Sequence, residues 1–302
     1  MSHFYAILDH RGALRVSGPD AEKFLQGQTT CDFGELSAQQ ALPGAYCTPQ
    51  GRVVCDFRAN WLSDDSILLQ MQADLCHAAA SVFGKYIVFS RAELQDCSTQ
   101  WVQVGIWGPE AATLAGIEQA SQWSSSQHQQ AYWSQCDEQA TRFEACLPAG
   151  ALPAFETWLA TVFARASADE YRAQEMRAGI GHVEAATTEQ YLPQMLNYQL
   201  TGHLNFKKGC YTGQEIVARL HYKGKTKRPL YLFLGEGITA PTAGTAVTGR
   251  GSERDEGSIV NAVDTPQGAL MLISAAQTQL TLGDKPLQLL ELPYTLPQQQ
   301  GN

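Results

Sequence analysis

The sequence has no apolar run approaching the roughly 20 residues of a membrane span, and no cysteine pair spaced as C-x-x-C. The first absence argues against a membrane helix. The second argues against the usual zinc and iron–sulfur ligand sets, so no resident metal is expected. Eight cysteines are nevertheless present, at 31, 47, 55, 76, 97, 136, 146 and 210. In a chain of this size they read as reduced thiols of a cytosolic protein and not as a disulfide framework. The amino-terminal stretch is interrupted by Asp9, His10 and Arg11 and so lacks the apolar core of a secretory signal. A cytoplasmic location is the expectation.

Charge is also sparse. Charged residues make up 17% of the chain and hydrophobic ones 44%, the balance of a folded globular protein. At 302 residues there is room for two or three domains, each with its own core. The net charge of −9 disfavours a general nucleic-acid binder, which needs clustered Lys and Arg. The positive charge is concentrated, however. Residues 207–228 carry seven Lys or Arg and one acid, Glu215, which leaves −15 on the remainder.

Leu14 and Val16 alternate with polar Arg15 as in a strand, and Ser17-Gly18-Pro19-Asp20 then reads as a helix start. Ser17 is the expected cap, and Gly27 the expected left-handed end. Hairpin signals follow: Tyr46-Cys47 and Val53-Val54 flank Pro49-Gln50-Gly51, and Ile67-Leu69 follows a turn at Ser63-Asp64-Asp65. An amphipathic stretch over 72–83 and a strand over 86–89 complete an α+β unit. A second unit runs through strand 102–107, a helix opened by Pro109, strand 142–147 and helix 155–163. After Pro229, short apolar strands at 230–234, 258–263, 269–273 and 287–292 alternate with Gly and Pro turns, the pattern of a small antiparallel barrel. The expected fold is therefore α+β, with two interleaved domains over 1–228 (about 1–45 with 100–228, and 46–99) and a β-barrel over 229–295.

The segment 191–228 contains a loop, a cysteine and a helical pattern. Thr212-x-x-Glu215 reads as a capping box ahead of Ile216, Val217 and Leu220, while Gly209 and Gly213 read as residues that let the backbone turn tightly. Cys210 lies beside Lys207 and Lys208 and just before the expected helix. Nearby ammonium groups and unsatisfied helix N–H groups both favour a thiolate. Such a thiolate could act as a nucleophile, a sulfur carrier or a transient metal ligand. A small buried residue is the equally good structural reading. The basic run Lys223 to Arg228 reads as a solvated surface or as a site for a polyanion.

Lys208-Gly-Cys-Tyr-Thr-Gly-Gln-Glu215 matches the K-G-C-Y-x-G-Q-E signature of the YgfZ family without a gap, and the resemblance extends through Pro193-Gln194, Asn197 and Val217-Ala218-Arg219. Weaker similarity at Gly18–Gln28 and Leu292-Pro293-Tyr294 carries it along essentially the whole chain. This family is related to the T-protein of the glycine cleavage system, an aminomethyltransferase that uses tetrahydrofolate. The resemblance implies three domains in a ring around a central folate channel, with a β-barrel last. It implies a tetrahydrofolate derivative as cofactor and a role in assembly or repair of iron–sulfur client enzymes, some of which modify tRNA. It also implies that Gln194, Asn197, Lys208, Tyr211 and Arg219 contact the folate and that Cys210 performs thiol chemistry.

The departures from the family pattern are specific. T-proteins have an Asp-Asp pair where this chain reads Cys55-Asp56, and Asp where it has Cys210. Two positions that are Trp near the pterin in YgfZ relatives align with Arg11 and Tyr171, and a glutamate of folate-binding relatives aligns with Arg177. Tyr171 is expected to stack on a flat ring, and an Arg guanidinium to stack or pair with a carboxylate. A one-carbon transferase using Asp56 as its acid is the enzyme alternative, and direct tRNA contact through Lys223 to Arg228 is a third reading.

Overall fold

The computed structural model describes residues 3–62, 65–224, 226–252 and 254–297. Ser63 and Asp64 of the expected turn, and Lys225 of the basic run, lie outside the described residues. The chain divides into two compact units, one of Met1–Gly44 with Asp56–Tyr171 and one of Ala45–Cys55 with Arg172–Asn302.

The first unit contains a six-stranded sheet in the order Ala164–Arg165, Phe4–Ile7, Trp101–Trp107, Arg142–Pro148, Ala131–Gln135 and Ser125–His128. One face buries Val104, Ile106, Trp133, Phe143 and Ala145 beneath the helix Leu152–Leu159 through Phe155 and Leu159. A five-stranded sheet follows the order Leu42–Cys47, Val53–Leu62, Ser66–Gln72, Arg11–Ser17 and Glu93–Asp96. Ser66–Gln72 and most of Val53–Leu62 are buried on both faces, so the polar side chains they carry, Arg58, Asn60 and Gln70 among them, are buried too.

Several buried polar side chains of this unit are paired with one another. Arg58 donates to Glu144 at 2.5 Å, and the hydroxyl of Tyr171 donates to the other Glu144 oxygen at 2.9 Å. All three side chains are buried. The Arg58 guanidinium also lies 5.5 Å from the Trp123 ring, and that of Arg142 lies 6.0 Å from the Tyr171 ring. A second chain of amides runs from Gln70 to Asn60 (2.5 Å) and on to Ser134 (3.1 Å). Tyr171 lies flat against Gly105, where a Cβ would sit 2.3 Å from its ring, so only glycine fits in that strand.

The second unit ends in a seven-stranded antiparallel sheet, ordered Lys285–Pro286, Leu280–Leu282, Ala246–Gly249, Asp255–Thr265, Gly268–Ala275, Leu230–Gly235 and Gln288–Leu290. Its two outermost strands are separated in the chain only by Leu287, so the sheet curls into a nearly closed barrel. Phe233, Val247, Ile259, Met271 and Ile273 fill it. The barrel expected after Pro229 is present; strands Ala246–Gly249 and Leu280–Leu282 were missed because each has only three or four residues.

Several local expectations are corrected. The first helix is Ala21–Gln28, and its N-cap is Asp20 and not Ser17, which pairs with Ser66 and Glu93 as the end of a strand. The Asp20 carboxylate accepts from the Arg91 backbone N–H and guanidinium at 2.9–3.1 Å, so it serves a tertiary pair and not the helix. Gly27 sits inside that helix, which ends at an extended Thr29. Residues 86 and 87, expected in a strand, close the helix Cys76–Ile87, whose inward face is Cys76, Ala79, Phe83 and Ile87. The helix opened by Pro109 is only Ala111–Ala115 and ends at left-handed Gly116.

Two stability predictions follow from these pairs. Arg58→Met leaves the Glu144 carboxylate buried without this guanidinium and should destabilise the protein by about 3–5 kcal/mol in denaturant titration. The hydrogen bonds from Arg91 hold the Asp20 carboxyl down at about 2. Because the folded value is the lower one, the contribution is present above the ordinary carboxylate range and is lost as pH falls from about 4 to about 2. Asp20→Asn should therefore flatten the melting-temperature profile across that window and leave its neutral-pH slope unchanged.

Candidate functional site

The signature segment belongs wholly to the second unit, and it is positioned by a close backbone approach. The helix is Gln214–Lys223, with Gly213 as a left-handed N-cap at φ 83°; Thr212 and Glu215 therefore do not form the expected capping box. A Cβ on Gly213 would lie 2.4 Å from the Thr48 carbonyl oxygen, and one on Gly51, also left-handed, would lie 3.2 Å from Ile216. The two glycines let the turn Thr48–Gly51 lie against the helix start. Gly209, by contrast, has open space around it and no left-handed conformation.

The turn is tied down in its own right. Val53 donates to the Tyr191 carbonyl and Glu189 donates back to that of Val53, both at 2.8 Å, while the Arg52 guanidinium reaches the Gln190 carbonyl at 2.6 Å. Upstream of the cysteine, the Asn205 carboxamide accepts from the backbone N–H groups of Lys207 and Lys208 at 2.7 and 3.1 Å, forming a small Asx turn.

Between these anchors Cys210 is exposed, whereas the other seven cysteines are buried. Its two lysines part company. Lys207 is exposed, while Lys208 is buried with its ammonium 5.2 Å from the Tyr211 ring. Tyr211 is itself enclosed, and burial raises its hydroxyl pKa. Burial likewise pushes the Cys47 thiol up to about 12 and raises Cys146 still further. Reactive thiol chemistry is thereby confined to Cys210 by access alone.

The other expected site residues fall in several places. Gln194 is buried and donates to the Val217 carbonyl at 2.7 Å. Asn197, left-handed at φ 56°, donates to the Leu230 carbonyl and accepts from the Leu230 N–H, and it also donates to the Tyr294 hydroxyl. Tyr294 in turn donates to the Gly179 carbonyl at 2.7 Å, and burial raises its hydroxyl to about 12. Both ends of the Asn197 amide thus serve the start of the barrel, a role visible in sequence only as similarity at Tyr294. Arg177 and Arg219 are exposed. In the first unit, Arg11 and Asp56 are buried, and the stacking role expected of Tyr171 meets a ring already enclosed against Gly105.

One buried constellation in the second unit had no sequence signal. His182 lies 3.1 Å from Glu175 through Nε2, and its backbone N–H and carbonyl are both held by the Asn261 carboxamide. Glu184 joins Asn261 to Arg172. The residues are spread over 172–261, beyond the reach of any spacing rule.

The architecture defines an aminomethyltransferase-like fold. The family model of the GCVT N-terminal domain matches residues 7–146. Glycine cleavage system aminomethyltransferase T from Bartonella henselae aligns over 97% of this chain and 86% of its own, with a TM-score of 0.75 and 16% identity. Heterotetrameric sarcosine oxidase from Corynebacterium sp. U-96 aligns over 51% of this chain and 80% of its own at a TM-score of 0.37 and 13% identity, too distant to argue from. No helix among the described residues is long and apolar enough to cross a membrane.

Thiol labelling tests the geometry directly. Maleimide under native conditions should modify one thiol per chain, mapped to Cys210 by peptide mass, and denaturant should release the remaining seven. Rapid native labelling of any second cysteine would contradict the burial pattern.

Proposed function

We propose that this chain is a tetrahydrofolate-binding accessory protein for the assembly or repair of iron–sulfur enzymes, with Cys210 as its reactive group. The observation that carries the reading is the single exposed thiol, presented from a loop anchored at Asn205 and Gly213 on an aminomethyltransferase-like fold. The anionic end of a folate calls for cations, and the second unit carries exposed ones. Arg177, Arg219 and Lys207 are exposed cations of the second unit that enter no ion pair among the described residues, and they suit the carboxylates of a glutamate tail.

A bound tetrahydrofolate supplies a nitrogen able to carry one-carbon groups. The chain's own part is to hold the tail through these cations and to present the exposed Cys210 sulfur as a nucleophile or as a transient ligand toward a client's iron. Dependence of tRNA-modifying iron–sulfur enzymes on such a protein would connect it to tRNA without direct contact. A transferase would instead require Asp56 to meet the folate, and that carboxylate is only 2% exposed.

Calorimetric titration with tetrahydrofolate should give saturable one-site binding, weakened at least about 10-fold in the Arg177→Ala/Arg219→Ala double variant and less so as salt rises. Absence of binding to the wild type removes the folate. In a strain lacking the gene, wild type should restore iron–sulfur enzyme activities and Cys210→Ala should not; full rescue by Cys210→Ala removes the thiol from the reading.

A further inference from the structure

The seven cations of residues 207–228 are unevenly engaged. Lys208 is buried against the Tyr211 ring, Arg228 faces Asp255 at 3.8 Å, and Lys225 lies outside the described residues. Lys207, Arg219, Lys223 and Lys227 are exposed and enter no ion pair among the described residues. The outer face of the helix Gln214–Lys223 bears Arg219, Tyr222 and Lys223 together with Glu215, the one acid of the stretch.

Tyr222 is 69% exposed, yet its ring leans on two others. It lies edge-on to His221 at 4.8 Å and to Phe206 at 6.4 Å, and those two rings stack on each other at 3.7 Å. An aromatic side chain supported in this way loses little further freedom when a partner covers it. A largely apolar cleft of about 450 Å³ opens beside the cluster. Phe206, Leu220 and His221 line it together with Gly224, Thr226 and Pro229, so the stretch that carries Lys227 borders it as well. Exposed Tyr and Arg, a hydrophobic hollow and a charged rim are what protein interfaces use.

The charge selects the occupant. With +6 on residues 207–228 and −15 on the rest, a polymer charged along its whole length, such as a nucleic acid, is drawn to this face and repelled by the remainder. A short acidic segment of a protein meets only the cations. The stacked rings favour the same occupant, since Phe206 and His221 each give one face to the other and not to a base.

We propose that this face docks an acidic segment of a partner protein, with carboxylates on Lys223 and Lys227 and a large apolar side chain against Tyr222 and the cleft. Phe206 is four residues before Cys210, at most about 14 Å away along the chain, so a docked partner lies near the exposed thiol. The surface stands whether or not the chain binds folate.

Fluorescence anisotropy on the full chain tests it with a labelled peptide of glutamates around a central Leu-Phe pair. Binding is expected with a Kd on the order of 10–100 µM in about 50 mM salt, and about 10-fold weaker in about 300 mM. Replacing the glutamates with Gln should weaken it at least about 10-fold, and replacing Leu-Phe with Ser-Ser at least about 5-fold. Tyr222→Ala and the double variant Lys223→Gln/Lys227→Gln should each weaken the acidic peptide about 5- to 10-fold, with the fold of both checked by circular dichroism. If a variant fails to fold, the peptide series on the wild type decides. No binding of the acidic peptide, equal affinity for the Gln or Ser-Ser peptide, or full affinity in either folded variant overturns the inference. So does displacement of the peptide by tetrahydrofolate, which would make the face part of a folate site, or tighter binding of an oligothymidylate of equal length.

Discussion

The presentation of the exposed thiol depends on one steric constraint, the approach of the Thr48 carbonyl to the start of the helix Gln214–Lys223. At Gly213 the backbone must be left-handed, and a side chain would strike that carbonyl, so two independent requirements select glycine at one position. Gly51 faces the same contact from the other side. With the turn held by Tyr191 and Gln190, the helix start is held too, and the loop carrying Cys210 spans a short distance between that start and the Asn205 turn.

The first unit solves a different problem. A sheet buried on both faces favours polar side chains that pair with one another, and Arg58, Glu144 and Tyr171 are joined in that way. Such a network contributes little net stability relative to apolar packing, but losing one member is costly because the others stay buried. It also binds distant segments, since residues 58, 144 and 171 meet with Gly105 beneath the tyrosine ring. Tyr171 is thus accounted for by its hydroxyl and by the shape of the strand it covers.

How much of this was legible in the sequence depended on the range of the interaction. Short apolar runs between Gly- and Pro-bearing turns located the principal strands of the barrel, because those signals are local and the strands are six or more residues long. Caps were misread for a physical reason. Ser17 and Thr212 have capping chemistry, but Ser17 is drawn into a strand pairing and the glycine next to Thr212 takes the cap because only it can be left-handed there. Asn197 was noticed through family similarity; its partners Leu230 and Tyr294 lie 33 and 97 residues away, and no local pattern reports such a contact. The Glu175–His182 pair gave no signal at all, since a lone histidine reads the same whether or not a carboxylate lies beside it.

The cysteines show why composition alone could not assign function. Eight thiols with no ligand spacing gave two equal readings for Cys210, small buried residue or reactive group, and the first is correct for the other seven. At positions such as 47 and 146, burial raises the thiol pKa and blocks access together, so these residues act as small hydrophobes. Cys210 is exposed while two other residues of its loop, Lys208 and Tyr211, are buried. Lys208 places its ammonium against Tyr211, and Tyr211 is buried next to it in sequence. The cysteine stands exposed among them. The local packing buries one of its two lysines, and Lys207, three residues before it, remains as a solvent-facing cation.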